Sequence, residues 1–194
     1  MSKARLEAFS DGVIAILITI MVLELHIPPG GTLADLTPLL PVFLTYVLSF
    51  VFLAIYWNNH HHLLHAATRV NGRILWANLN LMFWLSLVPF VTNWMGESHA
   101  APLPTAAYGV VLLASAVAFT ILARQMVAHE GSHSTLAEAL GGDRKGKISI
   151  VLYASGVPLA FFRPWIADTL YVTVALIWLV PDKRIEARLK ASER

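Results

Sequence analysis

Long apolar runs separated by short polar breaks organise this chain from end to end. A helix needs about 20 mostly apolar residues to cross a bilayer, and six runs approach that length. They cover residues 8–26, 38–60, 74–95, 104–127, 148–162 and 165–180. Pro28-Pro29-Gly30-Gly31, Pro102 with Pro104, and Gly141-Gly142 lie between runs, where helices are expected to stop. The last two runs are short and only Phe162, Arg163 and Pro164 separate them, which reads as a tight helical hairpin. The pattern predicts an all-α membrane protein of six transmembrane helices, forming one domain over residues 1–194.

Composition agrees with the pattern. Hydrophobic residues make up 57% of the chain and charged residues 13%, against about 45–50% and 25% in soluble domains. The mean hydropathy is +0.63. A chain of this length leaves roughly 30% of its unfolded surface in contact with solvent, so the solvent for most of that surface is expected to be lipid. A soluble globular enzyme, a disordered chain and a disulfide-stapled secreted domain are all poor fits. Cysteine is absent, which removes thiol catalysis, disulfides and thiolate metal sites. The first run is too long for a signal peptide, lacks a small-residue cleavage site and carries Asp11 and Glu24 near its ends; it is expected to remain as the first helix.

Charge sets the expected orientation. Lys3 and Arg5 precede the first run, and Arg69 and Arg73 fall between the second and third. Arg124, Arg144, Lys145 and Lys147 fall between the fourth and fifth, and Lys183, Arg184, Arg188, Lys190 and Arg194 follow the sixth. Thirteen of the fourteen Lys and Arg therefore share one side, leaving Arg163 on the other. The positive-inside rule makes that side, with both termini, cytoplasmic, and only an even number of spans allows it. Trp57, Trp76, Trp94 and Trp165 sit near predicted helix ends, as interfacial anchors do. The net charge of +2 is then mostly topogenic, and the basic tail implies no nucleic-acid partner.

Polar groups inside membrane helices are costly and therefore candidates for function. They concentrate in the first three runs: Ser10, Asp11, Thr19 and Glu24; then Asn58 to His62 and His65; then Asn78, Asn80, Ser86 and Thr92. His61 and His65 are four apart, which puts them on one helix face at a metal-binding spacing. A third protein ligand is not evident, so the bland reading, in which the rings cap a helix end and bond to neighbouring helices, stands beside the metal one. No nucleophile elbow, phosphate loop, dinucleotide fingerprint or zinc-helix motif occurs, and the chain is not expected to be an enzyme. Thr105-Ala-Ala-Tyr108-Gly109 has Ala where a TVGYG potassium filter needs its central Gly, and it is discounted as one.

Arg5-Leu-Glu-Ala-Phe9-Ser10-Asp11 at the start of the first run matches an RxxxFSD signature. That signature opens the first helix of the transmembrane protein 175 family of potassium channels, which this chain resembles. Tyr56-Trp57-Asn-Asn-His60-His61-His62 resembles the family too, as does Leu75-Trp76-Ala-Asn78-Leu-Asn80 running to Ser86-Leu-Val-Pro89-Phe90. After about Pro102 the likeness is in topology more than in residues. The resemblance implies a homotetramer in the lipid bilayer of a bacterial or archaeal cell (inner) membrane, weakly selective for potassium over sodium, with the first helix lining the pore. It implies no cofactor besides the permeant potassium ion.

Carried onto this sequence, the constriction falls at Ile16, Thr19, Ile20 and Leu23, with potassium passing near Ile16 and Thr19. Those positions share one helical stripe. Periodicity alone would have left Ile16 as packing, because Ile14, Ile18, Met21 and Leu25 make the helix apolar nearly all round. Whether the Thr19 hydroxyl faces the ion or its own helix stays open. Arg5, Phe9, Ser10 and Asp11 are expected to form a structural polar network, with His61 and Asn80 as partners. Glu24 is placed at the pore mouth or at a solvated helix end. A secondary ion transporter or a proton-permeable channel is the alternative; against the transporter, no internal repeat is visible, and Pro158 has no counterpart in the second run.

Overall fold

Every regular element of the computed structural model, which describes residues 2–131, 134, 137 and 143–179, is helical. Helix α1 covers Lys3–Leu23, starting five residues before the apolar run predicted and ending three residues short of it. The charged start joins the helix because Lys3, Glu7, Ser10 and Asp11 find partners on the helices that follow, described below. Beyond Leu23 the chain turns at Glu24 and reaches Pro28 and Pro29, which cannot continue a helix.

A one-turn helix α2 (Leu33–Leu36) follows. A capping box holds it: the Thr32 hydroxyl and N–H both donate to the Asp35 carboxylate, at 2.6 and 2.9 Å. A 3-10 turn leads into α3 (Leu40–Ala66). The second predicted helix therefore extends six residues past position 60 and takes in the whole histidine run. The third predicted helix is two: α4 (Gly72–Ser86) and α5 (Val88–Glu97). Pro89 lacks the N–H that the Leu85 carbonyl would accept in an unbroken helix, and the ladder is interrupted at Leu87. Next come α6 (Pro102–Glu130), α7 (Arg144–Phe162) and α8 (Pro164–Leu179). Only Arg163 separates α7 from α8. Val180, the basic tail from Lys183 to Arg194 and Gly141-Gly142 lie outside the described residues.

By length and apolarity, Lys3–Leu23, Leu33–Ala66, Gly72–Glu97 and Pro102–Glu130 can each cross a membrane. The shorter α8 is apolar, and α7 opens with Arg144, Lys145 and Lys147 before its apolar stretch. Helix α6 packs on α4, α5, α7 and α8, whereas α1 packs on α3, α4 and α5. The α6–α7–α8 corner closes on Tyr171, which is fully buried. A Cβ at Gly109 of α6 would overlap the Tyr171 hydroxyl, and one at Gly156 of α7 would stand 2.6 Å from its ring. Glycine at these two positions lets the three helices approach around one large side chain.

Candidate functional site

Helix α1 buries one stripe against its neighbours: Leu6, Ser10, Ile14, Leu17 and Met21. At 100° per residue, Thr19 points directly away from that stripe and Ile16 and Leu23 lie within about 60° of Thr19. All three are uncovered, Ile16 at 57% and Leu23 at 80% exposure. Ile20 and Phe9 occupy one flank of this face and are also open. Of the two orientations open to Thr19, the structure has its hydroxyl donating to the Ile16 carbonyl at 2.9 Å. Arg5 and Gly12 are exposed as well. In the single chain this face of α1 is thus an uncovered apolar ridge carrying one hydroxyl oxygen.

Three contacts at four-residue steps fix the opposite side of the helix. The Lys3 ammonium donates to the carbonyls of His65 and Ala67, at 3.0 and 2.8 Å. His61 Nδ1 and the Glu7 carboxylate stand 3.2 Å apart. The Trp57 indole N–H donates to Asp11 at 3.0 Å. Positions 3, 7 and 11 on α1 therefore meet 65, 61 and 57 on α3, as an antiparallel helix pair requires. The Trp57, His61 and His65 rings stack along α3, with centroids 6.1 Å apart at each step. The histidine spacing thus serves a stacked helix face, and among the described residues no group of three His, Asp or Glu could hold a metal ion.

Deeper in the bundle, the Asn78 amide donates to Ser10 Oγ at 2.9 Å, its carbonyl oxygen lies 2.7 Å from His60 Nε2, and Ser10 donates to the Leu6 carbonyl at 2.9 Å. Ser10, His60 and Asn78 are all fully buried. This corrects the expected partners. His61 does partner the first helix, through Glu7, but the buried link runs through His60 and Asn78; Asn80, expected there, lies in an open groove between α4 and α6. Arg5, expected in the network, is exposed at the surface of the chain. Successive residues on a helix point 100° apart, so a shift of one position (His60 to His61) or two (Asn78 to Asn80) turns an inward side chain outward.

At the far end of α1, Glu24 caps the helix and accepts a hydrogen bond from the Asn93 amide at 3.3 Å, with His26 and Glu97 3.5 Å apart nearby. Thr105 and Tyr108, from the string that resembles a filter, are buried inside α6. Tyr108 belongs to a hydroxyl chain that sequence reading missed: Thr92, which donates to the Val88 carbonyl, shares a 2.7 Å bond with Ser49, and Ser49 and Tyr108 share one of 2.8 Å. No periodic signal marks it, because its members come from α5, α3 and α6 at unrelated spacings. The readable signal was only that buried hydroxyls must find partners.

The family model described as "Endosomal/lysosomal potassium channel TMEM175" matches residues 5–89. A potassium channel of Chryseobacterium sp. (strain P1-3) is 56% identical over 190 residues, covering 98% of this chain and 99% of that protein. A potassium channel of Streptomyces collinus is 36% identical over 128 residues, 62% of each chain. Among solved structures, the lysosomal potassium-selective channel TMEM175 homolog from Chamaesiphon minutus superposes with a TM-score of 0.81 at 26% identity, covering 92% of this chain and 96% of that one.

Proposed function

This chain belongs to the TMEM175 family, a family of channels and not of enzymes, and from that membership we propose that four copies assemble in the cell membrane as a potassium channel lined by α1. The observation that carries the proposal is the one-sided packing of α1. Its buried stripe is pinned by Ser10 and by three contacts to α3, while Ile16, Thr19 and Leu23 stay uncovered. Packing on the bundle fixes the rotation of α1 and sets these three side chains on one outward face. A helix that must present the same three side chains to a shared axis needs such a fixed rotation.

Four Ile16 and four Leu23 side chains then form apolar collars, with Ile20 on the flank facing the neighbouring protomer. Such a collar gates by dewetting or by forcing an ion to shed water. Potassium holds its water less tightly than sodium and passes at lower cost, which gives a preference rather than strict selection. The Thr19 proton is committed to the Ile16 carbonyl, and its oxygen lone pairs serve as one ligand per protomer for the passing ion. Glu24, repeated fourfold at the mouth, raises the local cation concentration. Lys3, Arg5, Arg69, Arg73 and the other basic ends put both termini in the cytoplasm.

The test is ion-replacement flux in liposomes, with the oligomer mass of the purified protein. The account expects a tetramer that passes potassium faster than sodium. Ile16→Asn should wet the collar, raising cation flux and lowering the preference. Flux and preference unchanged by Ile16→Asn would remove Ile16 from the pathway.

A further inference from the structure

The start of α4 and the end of α6 bound an open groove of about 790 Å³, lined among others by Arg73, Trp76, Asn80, Ile121 and Gln125. We propose that this groove holds an anionic phospholipid, its phosphate at Arg73 and an acyl chain along Ile121. The inference needs only that α4 and α6 meet a membrane surface here, so it stands apart from the reading of α1 as a pore helix.

The groove is graded in polarity as a phospholipid is. Arg73 is the second residue of α4, at the predicted cytoplasmic surface. Trp76 follows one turn on, 75% exposed, as an interfacial indole is. Asn80 lies about 10 Å further along the axis than Arg73, at 1.5 Å per residue. On the antiparallel α6, Gln125 and Ile121 stand about 8 and 13 Å in from Glu130 by the same rise. Levelled by the Asn71–His129 contact, Arg73, Gln125 and Ile121 lie about 3, 6 and 12 Å deep, so charge, amide and apolar surface succeed one another as phosphate, ester carbonyl and acyl chain do, with Asn80 beside Ile121.

The hydrogen bonding fits the same occupant. Among the described residues the Gln125 amide has no partner, an arrangement that is costly against hydrocarbon and is relieved by an ester carbonyl accepting from it. The nearby carboxylate is already spent: Glu130 accepts from the Thr68 N–H at 2.6 Å and from its hydroxyl at 2.9 Å. The Asn71 amide donates to His129 at 3.2 Å, holding the two helix ends together beside the groove. Among the described residues Arg73 makes no ion pair, since the two ion pairs present both use histidine. Its planar fork suits a phosphate, and basic pockets between helices on this side of a membrane are known binders of anionic headgroups. Free phosphate would engage only the mouth and leave the Gln125 amide and Ile121 uncovered.

Native mass spectrometry of the delipidated protein, titrated with phosphatidylglycerol and with phosphatidylcholine, tests this. Phosphatidylglycerol should be retained preferentially, and Arg73→Ala should weaken that retention about fivefold. A phosphatidylglycerol with a photoreactive acyl chain should label α6 near Ile121 in the unmodified protein, which decides the matter even if Arg73→Ala folds poorly. Equal retention of both lipids, displacement by millimolar inorganic phosphate, labelling confined to other helices, or cross-linking of this groove to a second copy would each overturn the proposal.

Discussion

Asn78 joins three helices through one side chain. Its amide serves Ser10 of α1, its oxygen serves His60 of α3, and both partners are fully buried. Asn78→Leu leaves the buried His60 Nε2 without its partner, at about 1–3 kcal/mol, and removes the amide that ties Ser10 to α4, although Ser10 still donates to the Leu6 carbonyl. The expected outcome is a clear fall in the thermal midpoint and in the yield of intact oligomer; a variant that melts like the parent would mean the network does not seat α1. Trp57→Phe removes one indole donor from the exposed Asp11 contact, and a bond open to solvent is worth less than about 1 kcal/mol. Its midpoint should move far less than that of Asn78→Leu. The sequence made the residue types of this network readable, since polar groups in apolar runs need partners. It could not separate His60 from His61 or Asn78 from Asn80, because α3 and α4 are apolar on several faces and rotational register is decided by packing.

At the scale of elements, the apolar runs located the helices but not their ends. Helix α1 begins at Lys3 because the Lys3, Glu7 and Asp11 side chains are all partnered across α3, and α3 runs to Ala66 because that same Lys3 satisfies carbonyls at its C-terminus. Neither fact is local to the segment it lengthens, so no window of sequence contains it. The Leu87 interruption was readable in principle from Pro89, whose missing N–H acts locally. The α6–α7–α8 corner depends on glycine: Gly109→Ala drives a methyl group into the Tyr171 hydroxyl. Overpacking of this kind costs about 1–3 kcal/mol. Thermal denaturation should therefore show a lower midpoint for Gly109→Ala, while the surviving protein keeps its potassium preference in vesicles, because α1 packs on α3, α4 and α5 rather than on this corner. A changed preference would tie the corner to the ion path.

For the whole molecule, one arrangement connects the parts. Helices α6, α7 and α8 pack together as a body, α3, α4 and α5 bridge, and α1 stands at the edge with one face bound and one face free. Composition and charge made the membrane reading legible, and the RxxxFSD segment made the family legible. What the free face of α1 meets was not legible from periodicity, because lipid and a neighbouring protomer both accept isoleucine. The chain contains no cysteine, which permits a direct measurement: a single Ile16→Cys substitution, with potassium flux followed before and after silver ion is added. Val151→Cys on α7, at a site 62% exposed in the chain, serves as the comparison. The account predicts that silver blocks flux through the Ile16→Cys channel and leaves the Val151→Cys channel open. Flux that ignores silver at position 16 while the thiol there is fully modified would contradict it.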